Sequence, residues 1–568
     1  MDNRSFNLVT EPWIKVIDKK TDQERKVSLT ELFRNAQNYR QLAGEMRSQD
    51  LAILRFLLAI LTTIYSRFDA EGTPYDWLKV DRELMQATGF SDQDEEDEEE
   101  DSENQQVLLD TWEQLFKAGR FSEIVLKYLQ KYASRFDLFG ETPFYQVTEN
   151  EYNALVPKKK QISGAKGPGS VAIKQIDRQV SESAHTPAIF TPKSGQFKNR
   201  VALDELARWL ITYQNFTGVT DKTKITTKDK FSASRGWLYS LNPVYADGDD
   251  LFQTLMLNLI LINPSRPDGL QKPVWEYNDI QDYVFERRKQ LPPDNLAALY
   301  TTWSRILHVD WTDGHPTIFS ACIPMFDSES TFVEPMTTWR RDKKNNGYKP
   351  AVKSLRSLGI AMWRNFGQYV NPNQSDDIHD PGIVLWLQRL KDEGRIPYDS
   401  LLTLASAVLI SDGNATSQSP VAEVYDDMHI NANVLFDENK AFYWPERIEE
   451  VIETTQRIGD DYWRFAANIA RIRNLDGHSF ANRLSAKFYE QLNDPFKEWL
   501  AGLTNQDERD QKINLWKKQL RTYVLVATEN VVQSSSPRDM SGIPGDNGLM
   551  TIFTVTNQLR YQVAKDLG

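Results

Sequence analysis

The chain is poor in the residues on which most protein chemistry depends. Its 568 residues include one cysteine, Cys322, and six histidines. A single cysteine excludes an intramolecular disulfide and any zinc site built on cysteines. No two of His185, His308, His315, His379, His429 and His478 stand at a ligand spacing such as HxxxH. There is no GxxxxGK[ST] phosphate loop, no GxSxG and no HExxH. The glycine-rich stretch GAKGPGS lacks the strand–loop–helix setting of a phosphate loop. Long apolar runs are also missing. The longest, Leu51–Tyr65, contains Arg55 and falls short of the ~18–20 residues of a membrane span. It reads as a buried helix. The opening MDNRSFNLVTEPWIKV shows no charged-then-apolar signal pattern, so a cytoplasmic protein without membrane contact is expected.

Positive charge is in short supply overall, with a formal net charge of −13. Its distribution matters more. Residues 92–103 (DQDEEDEEEDSE) hold ten acids and no base, so the rest of the chain carries −13 + 10 = −3. Residues 157–236 carry fifteen Lys/Arg against six Asp/Glu, and residues 340–364 eight against one. Such clustering suits a polyanionic partner; the plain alternative is a set of solvated loops.

What is present in quantity is apolar surface: 40% hydrophobic and 11% aromatic residues, which excludes wholesale disorder. The pattern predicts an α+β protein in two parts. A large mixed domain over 1–435 opens with two short strands and a helix start in residues 1–33. It continues through helical periods at 49–68, 107–133, 204–216 and 251–262. Trp-rich strand-like runs follow, with helices near 383–395 and 399–409, then strand–turn–strand over 410–435 with the turn signal Asp412-Gly413-Asn414. Long basic loops cover 150–200 and 217–235, and the acidic run at 91–104 reads as a disordered, dispensable insertion. From 436 to 568 the pattern is helical. Ile448, Val451, Ile452, Thr455, Ile458, Tyr462, Phe465, Ile469 and Ile472 keep a three–four spacing, and three further stripes follow, which predicts a four-helix bundle.

No constellation of residues supports catalysis. His379 and Asp380 suggest a metal nuclease only weakly, having no partner histidine nearby, and no metal or other cofactor is expected. What remains is binding. If residues 222–230 are extended, Lys222, Lys224, Lys228 and Lys230 share one face and suit a phosphate backbone. Arg340, Arg341, Lys343 and Lys344, with Lys349, Lys353, Arg356 and Arg364, adjoin Trp339, Tyr348 and Trp363, a mixture that suits single-strand contact. A stand-alone single-strand-binding protein is therefore one reading.

FNLVTEPWIKV, VSLTELFRNAQNYRQLAG and DLAILRFLLAILTTI, together with RFDLFGETPFYQV (135–147), LARWLITYQNF (206–216) and SFANRLSAKFYEQLNDPFKEWL (479–500), give a second. These segments closely resemble the CasA family, the large subunits of the type I-E CRISPR surveillance complex, Cascade. The resemblance implies a non-enzymatic subunit that contacts the other Cascade subunits and the 5′ end of the guide RNA. It implies recognition of the protospacer-adjacent motif in double-stranded DNA from the minor groove, a groove whose degenerate code tolerates several motifs. It also implies duplex opening, R-loop formation, retention of the displaced strand, and recruitment of a helicase–nuclease in antiviral defence. By the same resemblance, the loop facing guide RNA and motif falls near 183–199, with Ile189, Phe190 and Thr191 at its tip. The glycine-rich loop corresponds to 217–220, where Gly218 is the sole glycine. The wedge inserted beneath the motif corresponds to the turn at 411–420, with Asn414, Thr416, Ser417 and Gln418 as its inserting residues. The family's minor-groove lysine has no counterpart in 316–333, which contain no Lys or Arg.

Overall fold

The structure is a computed structural model that describes residues 4–91, 98–162, 169–177, 193, 197, 199–218, 221–232, 235–263, 269–371, 375–413, 420–439, 443–545 and 548–568. It divides into two compact units. The first comprises 1–358, 377–395 and 405–425; the second comprises 359–376, 396–404 and 426–568.

The first unit is built around the helix Arg47–Tyr65. It is the one described helix long and apolar enough to cross a membrane, and it is buried throughout inside the protein. Phe56, near its middle, meets the rings of Trp13, Phe136, Phe144, Tyr145 and Trp275 edge-on, at centroid distances of 5.5–6.2 Å. Edge-to-face contacts of this kind add to the burial energy of the rings themselves. The helices Leu203–Phe216 and Leu296–Tyr300 pack against it. A three-stranded sheet (Ile14–Asp18 between Glu24–Val27 and Tyr39–Leu42, antiparallel) precedes it in the chain.

One charge inside this core is fully neutralised. Arg55 donates two 2.8 Å hydrogen bonds to the Glu334 carboxylate, and both side chains are wholly buried. Glu334 also accepts from the Trp237 indole at 2.5 Å and from the Met336 amide at 2.9 Å.

A second charge is not. Asp50, in the first turn of the same helix, accepts from the Gly44 amide at 2.7 Å. Burial pushes its carboxyl up to about 7, against ~3.9 for a free aspartate. Between those two values the folded chain holds a proton that the unfolded chain has released, so this group's contribution to stability falls as pH rises from about 4 to about 7. Asp50→Asn is expected to raise Tm by about 5 °C at pH 8 and to leave it unchanged at pH 4.5. Thermal unfolding across that range would show it; parallel Tm–pH curves would refute it.

Three expectations differ from the structure. Residues 401–411 form a strand, not a helix. LLTLASAVLIS is buried from Leu404 through Ile410 on both faces, so it shows no alternation, and a short apolar run gives helix and strand the same signature. The acidic run is not a loop throughout. A helix begins at Glu98 and runs to Ala118, and an acidic N-terminal turn suits the positive end of the helix dipole. The apolar stretch 251–262 is helical only over Leu251–Leu257.

In the second unit four helices, Trp444–Arg473, Gly477–Ala501, Arg509–Gln533 and Ile552–Leu567, pack as the stripes require. All nine stripe residues of the first are buried. The second runs on through Pro495 without ending. Its early stripe residues Phe480 and Leu484 are only half-buried, and the packed face is Ala481, Phe488, Leu492, Phe496 and Leu500. Trp516 of the third helix ties to the first by donating its indole N–H to the Thr455 hydroxyl at 2.9 Å.

Candidate nucleic-acid interface

Four exposed cations lie close together on a hairpin. Strand Trp339–Arg341 pairs with Tyr348–Pro350 on one side and Ile378–His379 on the other, antiparallel to both. Register puts Arg340 beside Lys349, and period two puts both on the face opposite Trp339. Trp339 is buried, and on its side of the sheet Phe332, Tyr348 and His379 form a ring cluster with centroids 4.3–5.5 Å apart.

The tip is DKKNNG. Asp342 accepts from the Lys344 amide at 3.1 Å and pairs with Lys349 at 2.5 Å. That lysine and that amide hold its carboxyl below the usual aspartate range. Asn346 adopts a left-handed conformation (φ +58°), and at Gly347 a Cβ would collide with the Glu329 carboxylate. The one acid of the cluster is thus spent on fixing the turn. Lys343 and Lys344 are left exposed at its tip, with Arg340 and Arg341 exposed at its base. Arg341 is braced by Asn346 at 2.7 Å. Four cations on a turn braced from inside can meet a phosphate backbone without first being ordered.

The tryptophan part of that expectation fails, while Tyr348 is half-buried. Trp339 and Trp363 are core residues, at 2% and 0% exposure, so neither offers a stacking face. Trp363 lies in the second unit, stacked on Phe496 at 4.0 Å. Arg364 leaves the patch as well. It lies over the Tyr489 ring at 3.5 Å, where burial lowers its pKa.

The second basic segment is extended only in part. Ile225 donates its amide to Cys322 at 3.1 Å and Cys322 donates to Thr223 at 2.8 Å, a short parallel pairing with strand His315–Cys322. Thr223 and Ile225 point inward, and Lys222 is exposed as period two requires. Lys224 departs from the expectation, because its ammonium is held by the Phe231 carbonyl and lies 4.9 Å from that ring. Lys228 and Lys230 are exposed but lie in the bend beyond the strand, so the four lysines do not form one row. Gly218 is buried, and its carbonyl accepts from the Thr217 hydroxyl.

The model for the CRISPR-associated protein Cse1 family matches residues 7–527. The chain belongs to that family. Among solved structures, Thermobifida fusca Cse1 superposes with a TM-score of 0.76 at 20% identity, covering 100% of this chain and 99% of that one. Thermus thermophilus CasA (Cse1) gives 0.66 at 18%, covering 99% of each. A chain of a CRISPR RNA-guided surveillance complex gives 0.65 at 14%, covering 98% of this chain and 99% of that one. No curated protein matches.

In this Cse1-family chain Ile189, Phe190 and Thr191, expected at a guide-RNA loop, and Asn414, Thr416, Ser417 and Gln418, expected at a wedge, lie outside the described residues. The strands on either side of that second segment are described: Leu401–Ser411 precedes it and Pro420–Asn431 follows it. Gly413 has φ +75°, the left-handed conformation that a glycine adopts without strain. Among the described residues no group of three His, Cys, Asp or Glu side chains could hold a metal ion. His379 is engaged in the ring cluster under the hairpin. Lys349 is the residue whose part was missed. The charge count included it, but only the register shows that it stands beside Arg340 and holds the tip through Asp342.

Proposed function

We propose that this chain is the large, non-catalytic subunit of a type I-E CRISPR surveillance complex. In that complex it reads the protospacer-adjacent motif of double-stranded DNA through the minor groove, starts duplex opening and R-loop formation, and recruits a helicase–nuclease. Its other partners are the remaining Cascade subunits, the 5′ end of the guide RNA and the displaced strand. Membership of the Cse1 family over 7–527 carries this reading. The exposed hairpin of Arg340, Arg341, Lys343 and Lys344 supports it, as do Lys222, Lys228 and Lys230.

The division of labour follows from charge and shape. Lysines and arginines neutralise phosphates, release counterions and hold the duplex in register without reading it. The turn at 411–420 then acts as the wedge. Short polar side chains at Asn414, Thr416, Ser417 and Gln418 enter beneath the motif, replace base-pair hydrogen bonds, and offset an unstacking cost of a few kcal/mol. Guide RNA pairing continues what the wedge begins. The loop bearing Ile189, Phe190 and Thr191 packs between guide and motif, and Gly218 marks the glycine loop. The alternative of single-strand binding by stacking loses both of its tryptophan platforms, since Trp339 and Trp363 are buried, and keeps only the half-buried Tyr348.

The test is a mobility shift on the reconstituted complex with motif-bearing and motif-free duplexes. Omitting this subunit is expected to abolish the difference between the two. Asn414→Ala with Gln418→Ala is expected to lower motif-dependent affinity about 10–100-fold, each lost side chain removing about 0.7–1.4 kcal/mol of contact. Unchanged motif dependence in both experiments would sink the reading.

A further inference from the structure

The strand that leaves the wedge turn is fastened to the central helix of the first unit. Helix Arg47–Tyr65 begins after Met46, a residue with no side-chain acceptor for the first-turn amides. Ser48 is fully buried, so water cannot serve its N–H. The acceptor comes from 375 residues away, where Glu423 on strand Pro420–Asn431 takes the Ser48 amide proton at 2.7 Å. Two residues on, Tyr425 places its ring 5.0 Å from the Arg47 guanidinium. The loop before the helix is closed onto the same end, with Gly44 donating to Asp50 and Glu45 donating its amide to Gln49 at 3.1 Å. Gly44 has no room for a side chain, since a Cβ would stand 2.5 Å from the Gln49 side-chain oxygen.

A buried helix end needs acceptors for its orphan amides, and a carboxylate suits its positive pole. That much is folding. The placement of this acceptor implies more. Glu423 stands five positions after Gln418, at most about 18 Å of extended chain. The helix that Glu423 grips is buried from Ser48 to Tyr65 and forms the centre of the unit's core. The outgoing arm of the hairpin is thereby fixed in register and direction just behind its turn.

We propose that Glu423 is a positioning residue for duplex opening, in that its hydrogen bond to the Ser48 amide aims the 411–420 turn at the base step to be parted. Tyr425 on Arg47 is the second point of the same anchor, preventing the strand from pivoting about the first. The proposal rests on the wedge reading of that turn.

The experiment uses the complete complex with guide RNA and a duplex carrying 2-aminopurine in the base pair next to the motif, whose fluorescence rises on unstacking. Glu423→Ala is expected to slow opening about tenfold, the scale of losing one charged hydrogen bond, and to leave motif-free duplex affinity unchanged. Glu423→Gln is expected to stay within about twofold of the parent, because its amide oxygen still accepts from Ser48. Asn414→Ala with Gln418→Ala serves as the reference. If the reference variant opens DNA normally, the wedge reading and this proposal both fall. If the reference variant is slow but Glu423→Ala is not, the positioning role alone is overturned. A Glu423→Gln variant as slow as Glu423→Ala overturns it too, as does an equal fall in motif-free affinity, the mark of general structural damage.

Discussion

Glu334→Gln should lower stability by about 3–5 kcal/mol. The variant keeps the shape of the side chain and removes only its charge. Arg55 then remains inside, wholly buried, with a neutral amide where its counterion stood. Its second neighbour, the Tyr300 ring 4.4 Å away, offers a partial negative face that cannot replace a carboxylate. The Trp237 indole and the Met336 amide donate to different carboxylate oxygens, so one of them meets the new NH2 group, and that clash adds to the loss from the unpaired guanidinium. A second substitution separates the two. Arg55→Met in the Glu334→Gln background removes the stranded charge and should restore much of the loss, because an apolar replacement of a buried pair often costs little. Soluble yield and Tm of the two variants decide the matter. A single variant as stable as the parent, or a double variant worse than the single, would refute this account.

Removing the four hairpin cations should give the largest change in DNA binding. Each phosphate contact adds about 0.9 to the slope of log K against log salt. Arg340→Ala, Arg341→Ala, Lys343→Ala and Lys344→Ala together should flatten that slope by about 3–4. Affinity should fall at least tenfold at low salt, and the difference should shrink as salt is raised. Because these side chains hold phosphates, motif-bearing and motif-free duplexes should weaken alike. Filter binding by the assembled complex at 50–300 mM salt would show it. A slope unchanged within 0.5, or a loss confined to the motif-bearing duplex, would remove the hairpin from the phosphate-contact set.

The bundle was legible because four long stripes repeat at one period, and only helices packed together can bury them. The central helix was legible for a related reason: no surface helix is apolar all round. Residues 401–411 were not, since a strand buried on both faces has no alternation to reveal it. The interface was legible as charge and illegible as geometry. Counting found Lys224 and Arg364 but could not see that Phe231 and Tyr489 would engage them. Tryptophans beside arginines looked like stacking platforms, yet in strand Trp339–Arg341 the pleat sends the ring inward and its basic neighbour outward. Glu423 gave no signal at all, because its partner is a backbone amide 375 residues earlier.

The solitary thiol has a practical consequence. Cys322 is wholly enclosed beside Arg305 and the 221–225 segment, and burial raises its pKa, so maleimides and oxidants find little thiolate there. The protein therefore comes with a silent native sulfur. A cysteine installed at Lys344 would be the only reactive one, giving fluorescent labels and disulfide tethers to thiol-modified oligonucleotides a unique address without prior cysteine removal.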